Sequence, residues 1–512
     1  MNPRRIGFPA AAAMALAGCA AGPNYHTPGI ATPAHYAAAP PADSAAAPAE
    51  APAAIDQALW WRALHDPELD SLIERAISDN PDLAIALDRL QAARTYEAAI
   101  IGAVLPVVDA SAGAARGTGS DLTRGRAAQT LVSADNGAGL RHINEIGGFD
   151  AVWELDIFGR YRREIEAARY DTQASLAARN AVLVAVAADV ARAYVDMRGL
   201  QMRAAVLDSA VGTLRESLRI VSIRYERGIT NELDVTLARR ELASIEAQSA
   251  PLNAEVRAAQ YTIATLLGRY PEDLAQELGT KQMVPEVPGA VAVGLPLDLL
   301  RRRPDVRQAE RELAGANARI GIATANLFPS LAITAGIGVQ RQALGTTPTV
   351  SEHIWSVGPA LLWPLLDFGA LDAQVEIADL QTRALLVNYK KTIQGAVREV
   401  DTSLDGFQAD QDSLGKLGTG LVASQRAVTL ANERYQRGLT DFLNVVDAER
   451  QEYDLEERYA AAQVAVAEQF IALYRSLGGG WENYQALPPI HRPEPAIIAA
   501  FQRAFSRDEP LQ

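Results

Sequence analysis

The chain of 512 residues has one cysteine, Cys19, and its surroundings define a reaction. In MNPRRIGFPAAAAMALAGC, two arginines precede an apolar stretch and then the small residues of Leu-Ala-Gly-Cys. That is the pattern of a secretory leader ending in a lipobox, where the thiol is alkylated by diacylglycerol and the freed amine is acylated. Cys19 is thus the predicted lipidation site and new N-terminus, with N-acyl and S-diacylglycerol as covalent lipid and no other cofactor expected. With no second cysteine, no internal disulfide can form. The apolar run 6–22 is too short and wrongly flanked to span a bilayer, which takes about 20 residues. The longest clean apolar run after it is AVLVAVAA at 181–188, so no transmembrane helix is expected. Ala20 stands where an aspartate would signal inner-membrane retention, which favours the outer membrane.

Other reactive constellations are missing from the sequence. The histidines 26, 35, 65, 142, 353 and 491 are scattered, with no metal-ligand spacing such as HExxH. There is no Walker loop and no G-x-S-x-G elbow, and the glycines near 117–119 and 336–338 do not precede a helix. The sequence therefore argues against an enzyme and against a metal site. A net charge of -14 argues against a nucleic-acid partner. Only five methionines, two of them in the leader, make a methionine-lined metal route unattractive.

The remaining chemistry sits in a repeated turn, and the turn belongs to a duplicated block. RYERGITNELDV at 224–235 answers RYQRGLTDFLNV at 434–445, with Arg, Tyr, Arg, Gly, Thr, Leu and Val in register. WELDIFG at 153–159 answers WPLLDFG at 363–369, and LLG at 266–268 answers SLG at 476–478, at the same offset of 210. Upstream, NPDLAIALDRLQ at 80–91 answers RPDVRQAERELA at 303–314, and Leu105-Pro106 answers Phe328-Pro329, at an offset of 223. The first copy therefore holds 13 extra residues between its LP and its Trp, in a polar, Gly-rich loop. Each copy reads as helix, Pro, strand, loop, strand, Phe-Gly, very long helix, Gly turn, long helix.

The strands alternate. Phe149, Ala151, Trp153, Leu155 and Ile157 share one face, and Asp150, Glu154 and Asp156 the other. Leu331, Ile333, Ala335, Ile337 and Val339 do the same opposite Thr334, Gly336, Gly338 and Gln340. A membrane-barrel strand requires that pattern, and a soluble hairpin lying on a core shows it too. The helices decide between them. From Arg160 to Tyr225 there is no proline, which predicts a helix about 100 Å long, with a bend or break near Gly199. Such lengths suit helical tubes or coiled coils rather than a compact domain. Four strands cannot close on themselves in lipid. Two copies would give a barrel filled by its own side chains, whereas three would leave a lumen, so the geometry favours a homotrimer. Around the turns, Arg224 and Arg227 sit at a helix C-terminus and Gly228 supplies the left-handed cap. Thr230 or Asn231 caps the next helix, with Asp234 in its first turn. Arg434, Arg437, Gly438, Asp441 and Asn444 repeat the arrangement.

Over nearly the whole chain these residues resemble the TolC/OprM/NodT family of outer-membrane efflux channels, in its lipidated branch. The resemblance rests on LAGCAAGPNY, on RRPDVRQAERELAGANARIGIATANLFPSLAITAG, on the two Trp…Phe-Gly strand ends and on the paired RY-x-RG-x-T turns. It implies a mainly α protein with a membrane β-barrel. Each internally duplicated protomer would give four strands and long helices to a trimeric, 12-stranded barrel on a periplasmic helical barrel. The implied organisation is a leader at 1–18 and a lipidated Pro/Ala-rich tether at 19–57, extended or mobile. The first repeat would span 58–268 (β-hairpin about 105–158, tip about 228), followed by an equatorial linker at 269–301. The second repeat would span 302–478 (β-hairpin about 328–368, tip about 438), followed by an equatorial tail at 479–512. The implied function is a passive exit duct for small toxic compounds. It would lie in the outer-membrane lipid and work with a periplasmic adaptor and an inner-membrane transporter of the RND type. Protein secretion with an ATP-driven partner, or a non-conducting lipoprotein scaffold, are the alternatives.

By position the resemblance also implies a periplasmic gate in which Tyr435 pairs with Asp234 and Asp447 contributes to an acidic ring. Thr440 and Asn444 depart from the family pattern, standing where an arginine and an aspartate of TolC would be. Arg437 or Arg434 would then be substitutes in the lock. The apexes Gly228-Ile229-Thr230 and Gly438-Leu439-Thr440 would receive the adaptor.

Overall fold

The computed structural model describes residues 20–38, 56–118, 141–280, 282–289, 302–344 and 348–486. A 3-10 helix (Gln57–Leu64) leads into α1 (Pro67–Asp79), α2 (Pro81–Ala103), β1 (Val107–Thr118), β2 (Arg141–Leu155) and α3 (Arg160–Glu226). The first half continues with α4 (Glu232–Glu246), α5 (Ser249–Leu266) and the single turn α6 (Pro271–Leu274). The second half holds α7 (Pro304–Ala325), β3 (Ser330–Leu344), β4 (Val350–Leu362), α8 (Ala370–Gln436) and α9 (Phe442–Leu477).

The four strands form one antiparallel sheet in chain order, and its register carries the duplication into three dimensions. Val108 lies opposite Ala151 in the first hairpin. Their counterparts 223 and 210 residues on, Leu331 and Leu361, lie opposite each other in the second. Rows such as Ala110, Phe149, Ile337 and Trp355 run straight across the sheet. One face is therefore apolar, with Phe149, Ile337, Trp355 and Leu361 exposed in the single chain. The opposite face carries Asp109, Ser111, Asp150, Thr334 and Ser356, with Ser111 donating to Asp150 at 3.3 Å. Trp153 Nε1 donates to the Val104 carbonyl and Trp363 Nε1 to the Leu327 carbonyl, the same bond made once per repeat. β2 stops at Leu155, two residues short of the expected alternation. Asp156 instead accepts from the Tyr161 and Arg162 amides and caps α3, while Ile157 lies in the bend.

The helices lie side by side in a wall one helix thick. Near the sheet the order across it is α2, α3, α7, α8; farther away it is α4 and α5, α3, α9, α8. Where the two tiers meet, Asn80 Nδ2 donates to the Leu266 carbonyl at 2.7 Å, tying the start of α2 to the end of α5. Arg303 Nη1 donates to the Ser476 carbonyl at 2.8 Å, tying α7 to α9 by the equivalent bond. An aromatic cluster of Trp60, Trp61, Phe470 and Tyr474 packs at this level. There the fully buried Arg198 binds Glu68 and the Thr280 carbonyl.

Three features differ from the sequence expectation. α3 runs unbroken through Gly199 for 67 residues. A Cβ on Gly199 would lie 2.2 Å from Val464 Cγ2, so this glycine serves close helix approach rather than a bend. The apolar window of α3, long enough to cross a membrane by composition, is mostly buried in the wall. The long return helix is single only in the second repeat. In the first it breaks at Ala247–Gln248, because Pro251 has no N–H and its ring clashes with the carbonyl four residues back; Ala461 stands at the matching position. Finally, residues 20–38 are not a free tether. Arg163 binds the Ala21 and Gly22 carbonyls and Asn24 Oδ1, Ala21 N–H donates to the Phe158 carbonyl, and Tyr25 donates to Glu310. Tyr36 is buried in the main core, so the segment is a strap docked on α3 and α7. The predicted leader, Cys19 and the tail from 487 lie outside the described residues.

Gly199→Ala should lower Tm by overpacking against Val464, at a cost of about 1–3 kcal/mol. Gly212→Ala on the same helix, where a Cβ meets nothing, should instead stabilise by about 1 kcal/mol. A Tm rise for both would remove the close-approach reading of Gly199.

Candidate functional site

The far ends of the two hairpins are near-copies built by the backbone. In the first, Gly228 N–H donates to Tyr225 O and Ile229 N–H to Arg224 O, both at 2.9 Å. In the second, Gly438 and Leu439 make the same bonds to Tyr435 and Arg434 at 3.0 and 2.9 Å. This double closure needs a left-handed residue after the helix, and both glycines sit at φ 70. Asn231 caps α4 by accepting from Asp234 N–H, while Asp441 at the start of α9 makes no side-chain cap bond.

Side chains then separate the copies. The Thr230 hydroxyl donates to the Asp234 carboxylate. At the matching positions Asn444 Nδ2 donates to Thr440 Oγ1 at 2.9 Å, so the link persists with its direction reversed. Thr440 and Asn444 are each other's partners, which accounts for both departures locally. Asp447 and Asn444 lie exposed on α9, and Asp447 accepts from Gln451 at 2.8 Å.

The pairing of Tyr435 with Asp234 is not made within the chain. Tyr435 is buried against Val221, Val235, Phe442, Val445 and Val446, and its hydroxyl has no hydrogen-bond partner. Its ring lies 5.2 Å from Phe442 and 4.8 Å from the Arg224 guanidinium. The apolar cluster draws the ring inward, while Asp234 takes the hydroxyl four residues before it. The arginine that crosses between the hairpins is Arg224, whose Nη1 also reaches the Gln436 carbonyl at 3.4 Å. Arg434 and Arg437 are exposed. Nothing in the sequence separates the repeated arginines from one another; only their opposite neighbours do.

At the apexes Gly228, Ile229, Gly438 and Leu439 are exposed, and Thr230 and Thr440 half-buried. Leu233 and Leu443 are exposed beside them, 61% and 57%, so each tip presents two apolar side chains at matching positions. In the sequence these leucines are legible only as shared letters of the repeat.

Above the tips, Ser217 on α3 donates to buried Glu449 on α9 at 2.6 Å, leaving Glu449 Oε2 unpartnered. Glu241, Glu452 and Glu456 line a cavity of about 70 Å³ with it. Burial pushes the carboxyls of Glu449, Glu452 and Glu456 above the usual range. Among the described residues no three His, Cys, Asp or Glu are placed to hold a metal ion.

A four-stranded sheet with one apolar and one polar face, joined to helices of 67 residues about 100 Å long, has the two-faced pattern of a membrane-barrel segment set on a long helical wall. The family model described as outer membrane efflux protein matches residues 72–269 and 295–479, and the chain belongs to that family. The outer-membrane efflux pump protein TtgC of Pseudomonas putida is 30% identical over 478 residues, covering 92% of this chain and 95% of TtgC. Nodulation protein T of Rhizobium leguminosarum is 28% identical, covering 91% and 95%. The solved outer-membrane channel OprN is 34% identical with a TM-score of 0.79, covering 91% of this chain and all of OprN. The chain is thus an outer-membrane component of an efflux system, extending into the periplasm.

Glu449→Gln tests the buried acid. Its folded-state pKa lies above the ordinary value, so ionisation costs stability once pH rises past the unfolded pKa of about 4.5. The variant should be more stable than the parent at pH 7, with the gain disappearing as pH falls below that value. Equal stability at both pH values in denaturant titrations would place Glu449 in a solvated setting.

Proposed function

We propose that three copies assemble into one passive exit duct for small toxic compounds. The observation that carries this reading is the sheet, apolar outside and polar inside, with both β1 and β4 left unpaired at its edges. Unpaired strands in hydrocarbon cost several kcal/mol per group, so copies must close a shared barrel. Three four-stranded sheets give twelve strands, enough for a hydrated lumen. The helical walls would continue that lumen into the periplasm. A duct of this kind reads size and charge, leaving compound selection to an inner-membrane transporter of the RND type joined through a periplasmic adaptor.

The hairpin ends are the periplasmic mouth in this reading. Asp447 and Asn444 line it, and three copies of Asp447 concentrate cations there. Arg224, stacked on Tyr435, holds the two hairpins of one chain together, and the Thr230–Asp234 and Thr440–Asn444 links stiffen the turns. The apolar pairs Ile229 with Leu233 and Leu439 with Leu443 receive the adaptor's helical tip. Cys19 carries the lipid, and the docked strap supports this by bringing Ala20 beside Gly159 at the sheet–helix junction, the level of the membrane surface.

Purified protein in planar bilayers should conduct, and deleting the gene should raise susceptibility to toxic compounds in a way that complementation reverses. No conductance and no susceptibility change for any compound would reject the duct. Tyr435→Ala and Asp234→Ala should each keep the trimer but raise resting conductance; unchanged conductance in both would remove them from the gate.

Leu439→Asp combined with Ile229→Asp should abolish complementation of efflux while conductance in bilayers persists. Full complementation by that variant would mean that the adaptor docks elsewhere.

A further inference from the structure

The duplication specifies the subunit interface residue by residue, an inference that rests on the trimeric reading above. Within the chain, β2 pairs with β3 and α3 packs on α7, joining the first repeat to the second. Shifting by the repeat offsets turns α3 into α8, α7 into α2, β2 into β4 and β3 into β1. The second repeat of one copy should therefore meet the first repeat of the next as the two repeats meet inside the chain.

Three observations support the transfer. First, the surface on α8 is ready for cover: Ala167 and Ala177, buried on α3, become Ile377 and Val387, exposed at 53% and 64%. Second, the transferred strand register preserves the faces. Ala151 opposite Ala335 becomes Leu361 opposite Ala112, and Phe149 opposite Ile337 becomes Pro359 opposite Ala114. All four lie on the apolar side, whereas a shift by one residue would turn one strand's apolar set inward. Third, the α7 position inverts its charge in α2, and its neutral partner on α3 becomes a cation on α8. In the chain, Arg311 of α7 donates to Gln173 of α3 at 3.1 Å. The matching positions hold Asp88 on α2 and Arg383 on α8, both exposed.

We infer that Arg383 of one copy pairs with Asp88 of the next, in a β4–β1 register with Leu361 opposite Ala112, and that this pair selects the correct neighbour. The inversion discriminates between partners. α8 laid against the α7 stripe of another copy would set Arg383 against Arg311, whereas α2 offers it a carboxylate. Arg383 already bonds Asp379 one turn earlier on α8, so its side chain lies along the helix surface and needs only to swing to the facing α2.

Charge exchange in the full-length protein tests the pair. Asp88→Arg alone and Arg383→Asp alone should each cut the trimer fraction in detergent extracts at least about tenfold, since each opposes like charges. Asp88→Arg with Arg383→Asp should restore it. Unchanged trimer in the single variants, or no rescue in the double, overturns the ion pair. The register is read separately from Leu361→Cys with Ala112→Cys, which should oxidise to a covalent trimer while Leu361→Cys with Ala110→Cys does not. The reverse result overturns the register. Native mass of the unmutated protein tests the trimer itself, so a failed pair and a failed assembly give different results.

Discussion

In the proposed duct, backbone hydrogen bonding in hydrocarbon governs the molecule. A sheet there can leave no row of amides and carbonyls open, because no water is available to satisfy them. Four strands with two bare edges are therefore an unfinished object, and most other features follow from finishing it. The apolar rows Ala110–Phe149–Ile337–Trp355 and Val108–Ala151–Ala335–Val357 run edge to edge, as a surface to be continued by another copy would. The wall below the sheet obeys the same logic, with α3 buried centrally and α8, its counterpart, largely exposed along the lateral edge.

Duplication supplies the repeated part, and a few substitutions make the copies unequal. The indole bonds of Trp153 and Trp363, and the tier junctions at Asn80 and Arg303, are repeated nearly bond for bond. Pro251 breaks one return helix and Ala461 leaves the other whole. Arg163 clamps the N-terminal strap, whereas Ala373 at the matching place cannot, so one of two similar sheet–helix junctions receives the chain's beginning. At the tips the shared link between Thr and the residue four on is kept, but it ends in an acid in one hairpin and an amide in the other. Inequality of this kind lets the two hairpins share an architecture yet carry different side-chain chemistry at their tips.

The helical wall is joined by uneven means. Tyr435 is held by apolar contact and a guanidinium, with its hydroxyl unanswered, and Glu449 is buried with one oxygen unpartnered. The belt around Trp60 and Arg198 also leaves Trp61 Nε1, Glu68 Oε1 and Arg198 Nε without partners, so what sets it apart from the lower wall is its much larger apolar core.

The sequence by itself determined whatever depends on spacing along the chain. Helix length, the glycine caps at 228 and 438, the two-faced strands and the pairing inside each hairpin all follow from neighbours within a few residues or from the offsets of the repeat. The Pro251 break is equally local, because the missing N–H and the ring act within one helical turn. Tertiary structure decided what depends on the group lying across. Gly199 gives the same local signal for a bend and for close packing, and Val464 settles it. The Pro/Ala-rich N-terminus looks like a free tether until Arg163 is seen to bind its carbonyls. Tyr435 could have faced Asp234, but Phe442 and Arg224 hold it elsewhere. Periodicity is written into neighbouring positions, whereas a long-range contact exists only once two distant segments share the same space.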